Sequence, residues 1–111
     1  MRVFIAGPYS AETMPEVERN VHRAMVAGME LMYLGHEPFV PHLSHWMGLA
    51  ATGGGDCIPY ARWVQWSLAF VECCDGLLYL APSPGADRER ARAVELGLPI
   101  WESVAEIARI T

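Results

Sequence analysis

Apolar residues in this chain come in two patterns that alternate from one end to the other. Short unbroken runs, such as Val3–Phe4–Ile5–Ala6 and Leu77–Leu78–Tyr79–Leu80, read as strands buried on both faces. Between them lie longer stretches with a period near 3.6. The first strand, 3–6, ends at the turn Gly7–Pro8–Tyr9–Ser10. Thr13 and Glu16 then have capping-box spacing, with Pro15 inside the first turn. A helix is expected over 15–34, with Val17, Val21, Ala24, Gly28, Leu31 and Met32 as its apolar stripe and Gly35 as its stop. A second strand over 36–41 carries Pro38 and Pro41, which place it near a sheet edge. Residues 42–56, with three consecutive glycines at 53–55, read as a long loop and as a lid or binding loop. A helix over 59–73, a strand over 76–81, a helix over 86–96, a strand over 98–101 and a closing helix over 103–110 complete the pattern.

Strand and helix alternate four times within 111 residues. That spacing predicts one α/β domain with right-handed crossovers and a parallel sheet of four, possibly five, strands. Ligands in such sheets bind beyond the carboxyl ends of the strands. A strand order of 2-1-3-4 sets the loop at 7–10 beside the loop at 82–85.

Composition narrows the chemistry. The hydrophobic fraction is 52%, with four Trp and six Met, more than a small core needs, so a subunit interface is expected. The net charge is -5, every basic residue is Arg, and there is no Lys. Long nucleic acids are therefore not expected partners, and Schiff-base chemistry is excluded. A small anion held by a helix N-terminus and a few Arg is compatible with that balance. The cysteines are Cys57, Cys73 and Cys74, an odd number with two adjacent, which suits a reducing compartment. The opening apolar run is too short for a leader or a membrane span, so a cytoplasmic protein without a membrane partner is expected.

Glu89 is the sharpest local oddity. Ala86, Ala93 and Gly97 define a close-packing face of the third long helix, and Glu89 falls on that face. An inward carboxylate must be paired or functional. The helix N-terminus is expected to keep it ionised, as a nucleophile requires. The competing assignment is a surface Glu pairing with Arg90 or Arg92. Ser83, Gly85 and Ala86 open the same helix, either as an anion-binding turn or as a plain N-cap. Gly7, Pro8, Tyr9 and Ser10 are either a ligand loop or a simple helix start. Asn20 reads as a structural amide tied to a neighbouring loop. His42 and His45, with Asp56 and Cys57 beyond, match no regular zinc spacing, so no metal or other cofactor is assigned. The His rings and Trp46 read as a loop packed over the ligand.

Taken jointly, Ile5–Ala6–Gly7–Pro8–Tyr9–Ser10, Pro41–His42–Leu43, Cys74–Asp75, Ser83-x-Gly85–Ala86-x-x-Glu89, Ala93 and Gly97–Leu98–Pro99 resemble the nucleoside 2-deoxyribosyltransferase-like superfamily, which includes 2'-deoxynucleoside 5'-phosphate N-hydrolases. The resemblance runs over nearly the whole chain. It implies a flavodoxin-like, Rossmann-like three-layer sandwich and cleavage of an N-glycosidic bond. It casts Glu89 as the nucleophile that forms a glycosyl-enzyme intermediate. It casts Ser83 as the phosphate-binding or sugar-binding position, where Ser rather than Asp suits a 5'-phosphate. Gly7 to Ser10 would line the same pocket, Tyr9 and the segment through His42 and Trp46 would hold the base, and a homodimer or homotetramer is implied. One position departs from the pattern: the family's Asp on the second long helix is Ser67 here, which can hydrogen-bond but carries no charge. Two alternatives follow, a non-catalytic nucleotide-binding module of the same fold and a phosphoribohydrolase acting on ribonucleotides.

Overall fold

A computed structural model describes residues 1–51 and 58–109. Four strands, β1 (Arg2–Ala6), β2 (Glu37–Phe39), β3 (Gly76–Tyr79) and β4 (Ile100–Trp101), form one sheet in the order β2-β1-β3-β4. Every neighbouring pair is parallel. The central strands are apolar without interruption because both faces are covered, as expected for the inside of a parallel sheet.

The two faces divide the core by the period-2 rule. Val3, Ile5 and Leu78 pack against Ala24, Ala27 and Leu31 of α1 (Met14–Tyr33) and against Ile107. Phe4, Ala6 and Leu77 face the other way. They meet Val71 of α3 (Tyr60–Val71) and Ala86 and Ala93 of α4 (Pro84–Glu95). The result is the three-layer α/β sandwich of flavodoxin-like type that the alternation predicts.

The helix boundaries follow from local chemistry. Thr13 caps α1 by accepting from the Glu16 amide, and Ser83 caps α4 by accepting from the Ala86 amide at 3.0 Å. Gly35 and Gly97 end α1 and α4 with φ of 91° and 72°, a region where side chains with a Cβ are strained. At Gly76 close approach, not backbone angle, requires glycine. A Cβ there would lie 2.4 Å from the Trp101 ring. Gly76→Ala should therefore destabilise the fold by about 1–3 kcal/mol, as overpacking does; denaturant unfolding measures it, and unchanged stability would mean that Trp101 is free to move.

Met32, expected on the core-facing stripe of α1, is exposed, and two expected elements take another form. Residues 42–56 are not one long loop: Pro41–Leu43 is a 3₁₀ turn and α2 (Ser44–Ala51) follows it. The glycines at 53–55 lie outside the described residues, and upstream of them Leu49, Ala50 and Ala51 are strong helix formers. Among the described residues the closing helix expected over 103–110 is reduced to a 3₁₀ turn at Val104–Glu106. Ile107 leaves that turn with extended backbone (φ -101°, ψ 120°) and is buried in the α1 face of the core. The sheet has four strands among the described residues, and no described helix is long and apolar enough to cross a membrane.

Candidate functional site

The strand order sets β1 between β2 and β3, so the three loops leaving their C-terminal ends lie side by side. A cavity of about 220 Å³ opens there. Gly7, Tyr9 and Ser10 line it from the β1 loop, and His42 from the segment after β2. Ser67 reaches it from α3, and Ser83, Gly85, Ala86 and Glu89 from α4. Residues scattered over eighty positions of sequence thus share one hollow. Pro8 stands behind it, contributing only its carbonyl to His42.

Glu89 is partly buried and accepts a hydrogen bond from the Ser67 hydroxyl. Burial pushes its carboxyl up to about 7, while the Ser67 hydroxyl and the Arg88 charge pull the other way. The expected full ionisation by the helix N-terminus is therefore corrected. Glu89 is the sixth residue of α4, and the dipole's influence fades within the first turn. Desolvation wins at that depth. The surface assignment fails as well. Arg92 is engaged by Glu72 and Glu95, each at 2.9 Å, and Arg90 lies over the Tyr79 ring and near Glu102.

Ser83 reconciles its two roles. Its oxygen accepts from the Ala86 amide, which leaves the hydroxyl proton free to donate into the cavity. Gly85 is next to it, and a Cβ built there would meet no protein atom within 4 Å. Gly85 lines the cavity, and neither backbone angle nor close packing requires glycine there. In the first turn of α4 Pro84 has no N–H and the Ala86 and Asp87 amides are taken up by Ser83, which leaves the Gly85 amide as a donor at the same place.

His42 is buried, and its Nε2–H is shared between the carbonyls of Gly7 at 3.0 Å and Pro8 at 3.2 Å. Two carbonyl acceptors require the proton on Nε2. Burial lowers the ring's pKa, so it is neutral, and Nδ1 is an acceptor with no partner among the described residues. This imidazole clamps the β1 loop. Asn20 holds the same loop from α1, its amide donating to the Tyr9 carbonyl at 3.1 Å, the structural role expected of it. The Tyr9 phenol pairs with Nδ1 of His45 at 2.9 Å, and burial raises the phenol's pKa.

Trp46 does not close over the cavity. It is mostly exposed and touches the edge of the His45 ring. On α2 the residue after His45 is turned by about 100°, so an inward His45 sends Trp46 outward. The aromatic wall comes instead from Trp63 and Trp66 of α3, packed edge to face at 5.8 Å. Their helical spacing is visible in the sequence, but whether that stripe meets the core or a cavity is not. Arg88 was also missed. It is the one Arg lining the cavity among the described residues, and it donates to the Tyr60 hydroxyl at 3.1 Å with its guanidinium 5.5 Å from that ring. Its proximity to Glu89 in sequence was the available signal.

Among the described residues no group of three or more His, Cys, Asp or Glu could hold a metal ion. Asp56 and Cys57 lie outside the described residues. Cys73 and Cys74 are free thiols, and burial pushes Cys74 up to about 11. No protein-family model matches this sequence, and no characterised protein matches it significantly.

Proposed function

We propose that this protein cleaves the N-glycosidic bond of a nucleoside 5'-monophosphate or nucleoside, with Glu89 as the nucleophile. The observation that carries the proposal is the half-buried Glu89 carboxylate in a cavity that also holds anion donors and an aromatic wall. The ionised carboxylate attacks the anomeric carbon. The bond to the base nitrogen breaks with its electron pair leaving on the base, and a glycosyl ester forms on Glu89. Water, or a second base in a transfer reaction, then displaces the carboxylate and regenerates it. Ser83, the Gly85 amide and Arg88 supply donors for a 5'-phosphate, and Trp63, Trp66 and Tyr9 supply rings against a base.

The test is base release, followed by chromatography, from a panel of ribo- and deoxyribonucleoside monophosphates and nucleosides. Free base from one substrate, absent with Glu89→Gln, is the expected result. Release of base only from ribonucleotides would assign the phosphoribohydrolase alternative. Binding without release would assign the binding module, and the uncharged Ser67 beside Glu89 is the feature that favours it. Arg88→Gln should raise KM for a nucleoside monophosphate about tenfold or more while leaving KM for the matching nucleoside within about twofold, because a charge-assisted contact to phosphate is lost. Equal effects on both would remove Arg88 from phosphate recognition.

A further inference from the structure

Beside the cavity lies a second hollow of about 240 Å³, between α2, the start of α1 and the β1 loop. Tyr9 and Trp63 line both hollows and form the wall between them. Among the described residues its other walls include Met14, Leu49 and Ile58, each 40% exposed or more. Apolar side chains left open around a concavity mark a ligand site. Small-molecule sites usually span roughly 300–1,000 Å³. Neither hollow reaches that size alone, whereas the two together come within it.

One buried polar group indicates what the second hollow takes. His45 is only 5% exposed and lines it. Its Nδ1 is paired with the Tyr9 hydroxyl at 2.9 Å, while its Nε2 has no partner among the described residues and is not sealed in by protein. Buried polar side chains ordinarily have their hydrogen-bonding atoms satisfied. The Tyr9 hydroxyl can give or take the proton on Nδ1, so Nε2 can accept from an N–H or donate to an acceptor. Beyond the Tyr9–His45 pair and the Trp63 indole, the lining is aliphatic. The group that fits is therefore apolar and carries one polar atom.

We propose that the second hollow is a subsite for an apolar substituent on the substrate's base, joined to the ring through one polar atom, as in an alkylamino group. The inference rests on the nucleotide reading of the cavity and names the class of base. With the base against the Tyr9 and Trp63 rings, its edge far from the sugar faces the second hollow. The linking N–H donates to Nε2 of His45, and Nδ1–H then donates to the Tyr9 oxygen. The alkyl chain lies along Met14, Leu49 and Ile58. An unsubstituted base leaves that aliphatic wall in water.

Isothermal titration calorimetry on the full chain compares adenosine and cytidine 5'-monophosphates with their derivatives carrying a butyl group on the exocyclic amine. Base release is followed on the same compounds. In at least one pair the butyl compound should bind about tenfold or more tightly, as burial of a few methylenes allows. Gly48→Leu fills the hollow. A Cβ at 48 would meet no protein atom within 4 Å, and Leu suits α2 better than Gly does. In this variant the butyl advantage should fall to about twofold or less, with affinity for the parent nucleotide within about twofold of wild type. No butyl advantage in either pair, or an advantage that survives Gly48→Leu, overturns the subsite and leaves the assignment of Glu89 standing. A butyl advantage without base release keeps the subsite and overturns the catalytic assignment instead. Binding of none of the four compounds overturns the subsite, and the wider base-release panel then judges Glu89 by itself.

Discussion

Replacing Glu89 with Gln should abolish turnover and, at the same time, make the protein more stable at alkaline pH. The two effects share one cause. The carboxyl is raised from an ordinary value near 4.5 to about 7 because burial disfavours its charge. A group whose folded pKa is raised gives its full stabilisation below the unfolded pKa and loses it as pH climbs through the folded one. Glu89 thus makes the native state progressively less stable between about pH 4.5 and 7, and the ionised form above that range carries the whole cost. Allowing for water in an open cavity, that cost is on the order of 2–3 kcal/mol. Gln keeps the shape and can still accept from Ser67, but it has no charge to desolvate. Thermal unfolding of Glu89→Gln at pH 8 should therefore show a Tm higher than wild type by roughly 8–15 °C, while at pH 4 the two should nearly coincide. An equal shift at both pH values would mean that charge burial is not the cause. Activity should fall about a thousandfold or more in the same variant, since the covalent route is lost. A desolvated carboxylate that costs stability is what the proposed nucleophile requires energetically.

Ser67 should set the pH at which that carboxylate becomes usable. Its hydroxyl donates to Glu89, and a donor to the charged form lowers the pKa. Ser67→Ala removes this bond and leaves the carboxyl with burial uncompensated, so the Glu89 pKa should rise further, by about one unit. On the proposed mechanism kcat/KM for base release should rise with pH as Glu89 ionises, and in Ser67→Ala that rise should move to higher pH by the same amount. At pH 7 the variant should be several-fold slower, and at pH 9 it should approach wild type. Carboxyl-carbon NMR of Glu89 follows the same titration without substrate, so the pKa shift is measurable even if no base is released. Ser67→Asp should act in the same direction but differently in kind. A second carboxylate at that distance shares a proton with Glu89, and the pair titrates in two coupled steps. An unchanged Glu89 titration in Ser67→Ala would separate the two residues.

Much of this protein is legible along its chain. Continuous apolar runs at 3–6 and 77–80 read as doubly covered strands, and Thr13, Ser83, Gly35 and Gly97 mark helix ends by chemistry that acts within a few residues. Ile107 and Trp46 went the other way. Ile107 is recruited to the core by packing against α1, and Trp46 is turned outward because His45, its neighbour, is held by Tyr9. Neither partner is near in sequence, so no local pattern reports the contact.

The site divides along the same line. Residue type and spacing single out Glu89 as an inward carboxylate, and Ser83 and Gly85 as the opening of its helix. That Ser67, twenty-two positions earlier, is its hydrogen-bond donor depends on how α3 packs beside α4. Its protonation depends on the same packing. The sequence suggested a carboxylate kept charged by a helix end, whereas burial beneath α3 decides that it titrates near neutrality. Hydrogen bonds, caps and glycine turns are short-range and are written in order along the chain. Desolvation sums over every neighbour in space, and only the folded protein determines which neighbours those are.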